Sequence, residues 1–229
     1  HLAAADVADQ AKVQQVIENI ESATGQSVRG VVHAAGALDS VPLAQLNEEA
    51  IRHALHAKAV GAWTLHNLFC DRELKFFTLF GSASSVLAPP GHGAYAAANA
   101  YLDALAALRR QTGLPGTSIS WGIWEGAGAV AEATIARFKE MSFSEIPFER
   151  GLELFGKLAG HAGQDQIVLP GEPEQWARTA DLWLKHPVTE GLWHGSQATA
   201  ERDADSTPLA DGKEAALCLE IGAVMNLDP

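Results

Sequence analysis

Along this chain, short and nearly continuous apolar runs alternate with longer stretches in which apolar residues recur every three or four positions. The first kind reads as buried strand and the second as amphipathic helix. Leu2 to Val7 predicts a strand, passing into a helix with Asp9 as its N-cap and Val13, Val16, Ile17 and Ile20 on one face. Thr24-Gly25 closes that helix. Val28 to Ala35 predicts a strand buried on both faces, and Gly36 ends it. Leu43 to Leu46 and then Glu48 to Cys70 predict helix, with Ile51, Leu55, Val60, Leu65 and Leu68 inward. Leu74 to Phe80 is a second buried strand. Ala94 to Gln111 is a long helix with Leu102, Leu105 and Leu108 inward, Gly113 to Gly116 a turn, and Thr117 to Trp121 a third strand.

The remainder is less regular. Gly122 to Ser144 is rich in Gly and Ala, with a helical stretch from Ala131 to Met141, and its place after a strand suits a lid. Phe148 to Leu158 predicts a helix, Gln166 to Leu169 a fourth strand, and Glu174 to Lys185 a short helix carrying Trp176 and Trp183. Residues 188–212 read as a linker, polar and without periodicity from His194 onward. Helical periodicity resumes over Lys213 to Leu227, with Leu217, Ile221, Val224 and Met225, so that 213–229 reads as the start of a second domain after a first one over 1–187.

Strands alternating with helices imply βαβ units, hence an α/β fold with a doubly wound parallel sheet. Right-handed crossovers bring the C-terminal ends of the strands to one edge, where such sheets bind ligands. Asp6, Ala35-Gly36, Ser82 and Gly122 fall on that edge.

Composition narrows the possibilities. With 28 acidic against 16 basic residues the formal net charge is −12, which excludes a general nucleic-acid binder. No apolar run approaches the roughly 20 residues of a membrane-spanning helix. Cys70 and Cys218 follow no ligand spacing, and the histidines are scattered, so no metal site is expected and the cysteines suggest a reducing, cytoplasmic setting. The chain starts at His1 and stops inside a helical pattern, which reads as a segment of something longer.

The chemistry concentrates in Phe80-Gly-Ser-Ala-Ser-Ser85 and in Tyr95-Ala-Ala-Ala-Asn99-Ala-Tyr-Leu-Asp103. Ser82 ends an apolar run, and Tyr95 and Asn99 share a helix face at i and i+4. A hydroxyl, a phenol and an amide at one crevice suit the polarisation and protonation of a carbonyl oxygen. Spacing alone equally allows a strand end, an amphipathic boundary residue and a polar helix contact. A phenol, which ordinarily titrates near pH ~10, needs a nearby cation to exchange a proton at neutral pH. Lys58, set among small residues in His56-Ala-Lys-Ala-Val-Gly61, is the candidate cation; its bland alternative is a solvated helix lysine. His33 by itself reads as structural, and Trp121 and Trp124 suit a core as well as a pocket wall.

These motifs, together with His33-Ala-Ala-Gly36, Lys58-Ala-Val-Gly61 and Ser120-Trp-Gly-Ile-Trp124, resemble the ketoreductase domain of modular type I polyketide synthases, within the short-chain dehydrogenase/reductase superfamily. The likeness spans about residues 1 to 180. The superfamily's usual Tyr-x-x-x-Lys is here Tyr95-x-x-x-Asn99, and polyketide ketoreductases exchange the two positions, putting the lysine where Lys58 stands. The resemblance implies NADPH-dependent reduction of a β-ketoacyl group, carried on phosphopantetheine by a carrier domain, to β-hydroxyacyl. It implies that Tyr95 gives the proton, Ser82 binds the same oxygen, Lys58 supports the tyrosine and Asn99 holds the network. It implies that Asp6, Val7, Ala34, Ala35, Gly36, Lys58, Tyr95 and Gly122 line the cofactor. The rivals are a structural remnant without activity and a free-standing reductase of small carbonyl compounds.

Three departures qualify the likeness. The family's first strands and Gly-x-Gly-x-x-Gly turn are not in this sequence, since Gly91-His-Gly93 and Gly126-Ala-Gly128 lack the third glycine. The expected fold is therefore a partial Rossmann-like sheet whose N-terminal part is a missing partner, alongside the other synthase domains. A Leu-Asp-Asp element that marks one alcohol configuration reads Leu38-Asp39-Ser40, and the tryptophan of the opposite class is replaced at Leu87. Asp39 and Leu87 thus lean toward the Leu-Asp-Asp class, while His92 stands where α-substituents are discriminated. The tail from Glu214 to Pro229 resembles the first helix of an acyl carrier domain. With the glycine turn absent, the 229 residues alone should bind NADPH weakly. Fluorescence titration checks this, and tight binding would contradict it.

Overall fold

The computed structural model describes residues 1–38, 40–87, 91–126, 135–136, 139, 144–159, 166–170 and 216–220. Helix α1 (Gln10–Thr24) starts where the Asp9 carboxylate accepts the Lys12 N–H, and it ends on Gly25 at φ 65°, a left-handed turn that suits glycine. Strand β1 (Gly30–His33) leads through a short 3-10 turn, Leu43–Gln45, into α2 (Glu48–Leu55). A π-helical turn, His56–Val60, joins α2 to α3 (Gly61–Phe69). Strand β2 (Phe76–Ser82), the short helix α4 (Ser84–Leu87), the long helix α5 (Gly93–Gln111) and β3 (Thr117–Trp121) follow. Helix α6 (Phe148–Leu158), β4 (Gln166–Pro170) and β5 (Ala216–Glu220) complete the described elements.

The sheet order is β1-β2-β3-β4-β5, with the first four strands parallel. Both faces are covered, as a doubly wound sheet requires. On one face Val31, Phe77 and Leu79 pack against Ile17 of α1, Ala62 and Phe69 of α3, and Leu102, Leu105 and Ala106 of α5. On the other, Ile119, Trp121 and Val168 pack against Leu154 and Leu158 of α6, with Phe80 and Trp124 alongside. Trp121 is thus core and Trp124 packs half-buried against it, with Gly151 giving Trp124 its room, because a Cβ there would stand 2.4 Å from the ring.

Several expectations are corrected. Leu2 to Val7 is not a strand; Leu2 is exposed, and the segment turns at Asp9 N–H to Asp6 C=O, 3.0 Å, directly into α1. Strand β1 is not buried on both faces, since Val32 is 45% exposed. Among the described residues it is an outer strand of the sheet, and α6 reaches β2 to β4 instead. The inner face differs in α2 and the π turn, with Ile51 at 41% and Val60 at 46% exposure while Ala54, Lys58 and Ala59 are buried. The π turn breaks the regular period at Val60, and beyond it Leu65 and Leu68 of α3 pack against the core as expected. In α5, Leu108 is 40% exposed and the buried row is Leu102, Leu105, Ala106 and Arg109, the i, i+3, i+4, i+7 set. Finally, Ala216–Glu220 forms a strand antiparallel to β4, not part of a helix over Lys213 to Leu227. A short apolar run fits either state, and the free edge of β4 offers backbone groups to pair. The carrier-like helix therefore fails over these residues, while the rest of the tail lies outside the described residues. So do the proposed linker, the helix from Glu174 to Lys185 and most of the segment read as a lid.

Among the described residues, Arg109 is the largest fully buried side chain. Its Nε donates to Pro115 C=O at 2.7 Å, Nη1 meets His66 Nδ1 at 2.9 Å, and the guanidinium lies 3.8 Å from the Phe77 ring centroid. It ties α5 to α3, β2 and the turn before β3. Arg109→Ala should lower stability by about 2–4 kcal/mol, from a cavity and two orphaned acceptors. Arg109→Lys should recover little, because an ammonium lacks the planar fork. Urea unfolding of both variants measures this.

Candidate active site

Lys58 lies within the π turn, and its side chain is carried inward to 5% exposure. Gly36, just beyond β1, lets it pass, since a Cβ there would stand 2.8 Å from Lys58 Cε. The ammonium donates to the Phe80 carbonyl at 2.9 Å, near the C-terminal end of β2, and stands 5.7 Å from the centroid of the Tyr95 ring. That is cation–π range. Burial draws the Lys58 ammonium down to about 8, while the negative charge of Asp103 acts in the opposite direction. Lys58 is therefore a buried cation poised near neutrality, and the solvated-lysine alternative does not hold.

The π turn is braced from β1. His33 Nε2 stands 3.2 Å from the Lys58 carbonyl, and burial holds the His33 imidazole down to about 4, so it is neutral and its N–H is free to donate. This is the structural part expected of His33. The same joint receives two residues assigned to the cofactor. Asp6 accepts from His56 Nε2 at 2.8 Å and from Ala8 N–H at 2.9 Å, and the His56 contact holds its carboxyl below the usual range. Val7 packs where a Cβ on Gly61 would stand 2.5 Å from its Cγ1. Ala34 and Gly36 are exposed and Ala35 half-buried, so the loop after β1 offers open backbone at the edge. Gly122 extends the pairing of β3 with β4, its N–H bonded to Val168 C=O at 2.8 Å.

Tyr95 and Asn99 stand on the first turns of α5, as their spacing predicts. Asn99 is fully buried, its Nδ2 donates to Tyr95 C=O at 2.8 Å, and its Oδ1 is buried with no partner. His92, at the N-cap, turns its ring edgewise to Tyr95 at 6.4 Å between centroids, and its buried Nδ1 also lacks a partner. Ser82 closes β2; its hydroxyl accepts the Ser84 N–H at 3.3 Å and makes no hydrogen bond to Tyr95. The structure thus brings Lys58, Tyr95, Asn99 and His92 to one end of the sheet, with Ser82 at the strand end beside them. Leu87 packs with the apolar cluster of Ala83, Ile167 and Leu169, and Asp39 lies outside the described residues.

The sequence reading missed four contributors. The Phe80 carbonyl is a backbone group with no sequence signal. Asp103 was visible, four residues after Asn99 on the same helix. Ser118 and Ser120 were visible too, as two hydroxyls at period two in a buried strand. Among the described residues, no group of His, Cys, Asp and Glu is placed to hold a metal, and no helix is long and apolar enough to cross a membrane.

The buried cation beside a phenol, with an orphaned amide oxygen, stands at the C-terminal edge of a parallel sheet, where such sheets bind ligands. A family model described as the KR domain matches residues 1–126. The erythronolide synthase EryA2 of Saccharopolyspora erythraea is 40% identical over 169 residues, 74% of this chain and 5% of that relative. The polyketide synthase GfsB of Streptomyces halstedii is 40% identical over 211 residues, 90% of this chain and 3% of that relative. The chain thus spans a small fraction of these relatives. Among solved structures, the ketoreductase from the first module of phoslactomycin biosynthesis in Streptomyces sp. HK803 superposes with a TM-score of 0.69 at 32% identity, covering 76% of this chain and 40% of that one. An A1-type ketoreductase gives 0.71 at 32%, covering 76% and 37%. The parallel sheet, the exchanged lysine and asparagine positions and these likenesses place the chain in the ketoreductase domain family of modular type I polyketide synthases.

Proposed function

We propose that this chain carries the proton-transfer half of an NADPH-dependent reduction of a β-ketoacyl thioester to the β-hydroxyacyl thioester. The observation that carries the reading is the buried Lys58 ammonium, fixed by the Phe80 carbonyl and facing the Tyr95 ring. A cation so placed has no structural necessity, because burying it costs solvation that an apolar side chain of similar size does not lose. NADPH, when bound, supplies the hydride that adds to the β-carbon.

The chain's own residues handle the oxygen. Tyr95 gives its hydroxyl proton to the carbonyl oxygen as negative charge develops there. Lys58 stabilises the phenolate left behind and helps restore its proton. Ser82, whose oxygen accepts the Ser84 N–H, donates its own O–H to the same oxygen, holding the developing alkoxide. Asn99 fixes the backbone of Tyr95 through its amide and offers its unpartnered Oδ1 to the network. Asp6, Val7, Ala34, Ala35, Gly36 and Gly122, around the joint and the strand ends, are the residues of this chain that would hold NADPH. The substrate would arrive on the phosphopantetheine of a carrier domain, with the other synthase domains as partners.

In the full-length protein, Tyr95→Phe should cut the rate of reduction of a short β-ketoacyl thioester by about 10²–10⁴-fold. Circular dichroism and thermal unfolding should be unchanged. NADPH consumption at the wild-type rate would refute the role given to Tyr95.

A further inference from the structure

A buried imidazole that the reduction scheme does not use closes β1. His33 is 2% exposed, and its Nε2 stands 3.2 Å from the Lys58 carbonyl. Burial keeps the ring neutral, so one of its nitrogens carries a proton and the other an electron pair. A carbonyl can only accept, so Nε2 is the protonated nitrogen and donates to it. The bond joins the last residue of a strand to the middle residue of the π turn. Helices α2 and α3 flank that turn, and the Gly61 N–H reaches back five residues to the His56 carbonyl and three to that of Lys58. Such turns are rare inside helices, so contacts from outside the helix must hold this one. On the solvent side His56 Nε2 meets Asp6 at 2.8 Å, but both side chains are about half exposed and water competes. On the inner side the His33 ring is shut off from water, and Gly61 makes room for it, since a Cβ there would stand 3.4 Å from His33 Cε1. Lys58 is thus gripped twice, its backbone by β1 through His33 and its side chain by β2 through the Phe80 carbonyl at 2.9 Å.

We propose that His33 is a positioning residue of the reduction: by holding the Lys58 carbonyl against β1 it keeps the turn in its π register, and that register aims the ammonium at the Phe80 carbonyl and the Tyr95 ring. The inference rests on the roles given above to Lys58 and Tyr95. Without the imidazole N–H the turn relaxes toward regular helical spacing, the angle between Lys58 and its flanks changes, and the ammonium regains water. A role confined to filling space under the helix would be met equally by an apolar side chain of similar size.

That difference supplies the test. His33→Leu keeps the volume and removes the donor, and His33→Gln returns a donor at similar reach. In the full-length protein, brief acetylation with acetic anhydride followed by peptide mass spectrometry compares Lys58 with the exposed Lys75. Lys58 should be protected in the wild type. His33→Leu should raise its labelling relative to Lys75 by about tenfold or more. The same variant should lower kcat for a short β-ketoacyl thioester about 10–10²-fold, with KM changed less than about twofold. His33→Gln should recover most of both. Leu105→Ala, which opens the core elsewhere, should lower Tm and leave Lys58 protected. If His33→Leu does not fold, His33→Asn, whose amide stops short of the carbonyl, takes its place with the same expectations. A Lys58 still protected as in the wild type after loss of the donor overturns the proposal. So does failure of all three His33 variants to fold, which would make the residue structural. Labelling is read without turnover, so a wild-type protein that fails to reduce the thioester refutes the reduction while leaving the His33 result decisive.

Discussion

A primary ammonium inside a protein must find oxygen to replace water, or it will shed its proton. Lys58 meets that demand with one backbone carbonyl, that of Phe80, and with the field of a carboxylate. Most of the local architecture follows from the demand. The π turn aims the side chain inward at a point where a regular helix would pass it by. Gly36 clears its path and Gly61 lets the joint close on Val7, while His33 pins the turn's backbone. The resulting cation is marginal, drawn down to about 8, and it lies against the ring of Tyr95, the proposed proton donor.

The two strands beneath serve the same end. Strand β2 delivers both the Phe80 carbonyl and, two residues on, Ser82. Between them Gly81 opens space for the serine pair of β3, which in turn holds the Asp103 carboxylate. Helix α5 carries Tyr95, Asn99 and Asp103 at intervals of four, so one helix presents the proposed proton donor, its amide support and a half-buried carboxylate. Rigid placement of α5 matters accordingly, and Arg109, one turn and a half beyond Asp103, locks its far end against Phe77 and the turn at Pro115.

The parallel sheet was legible because buried strands such as Leu74 to Phe80 and Thr117 to Trp121 are short and densely apolar, and the helices between them have clear periods. Legibility failed where geometry departs from the regular helix or where pairing is decided at long range. Val60 looked inward because a periodicity argument assumes a constant turn, and the π turn breaks it. Leu108 was placed inward on apolarity alone, whereas the face selected Arg109, whose charge is answered by partners distant in sequence. Ala216–Glu220 took a strand because the edge of β4 was there to pair with, a fact no local window contains. At the site, Tyr95 and Asn99 could be grouped from spacing, and Lys58 was a candidate from its small neighbours that the family resemblance then favoured over a solvated lysine. The Phe80 carbonyl could not be read, because every residue has a carbonyl and only the fold says which one meets a cation.

The central claim is that Lys58 acts through Tyr95, and a double-mutant cycle on hydride transfer tests it most directly. In the full-length protein, single-turnover oxidation of NADPH by a β-ketoacyl thioester is compared for wild type, Lys58→Met, Tyr95→Phe and the double variant. If the cation serves the phenol, the double variant should be no slower than Tyr95→Phe alone, because nothing is left for Lys58 to support. Multiplying effects, with the double variant slower by the product of both singles, would contradict the account.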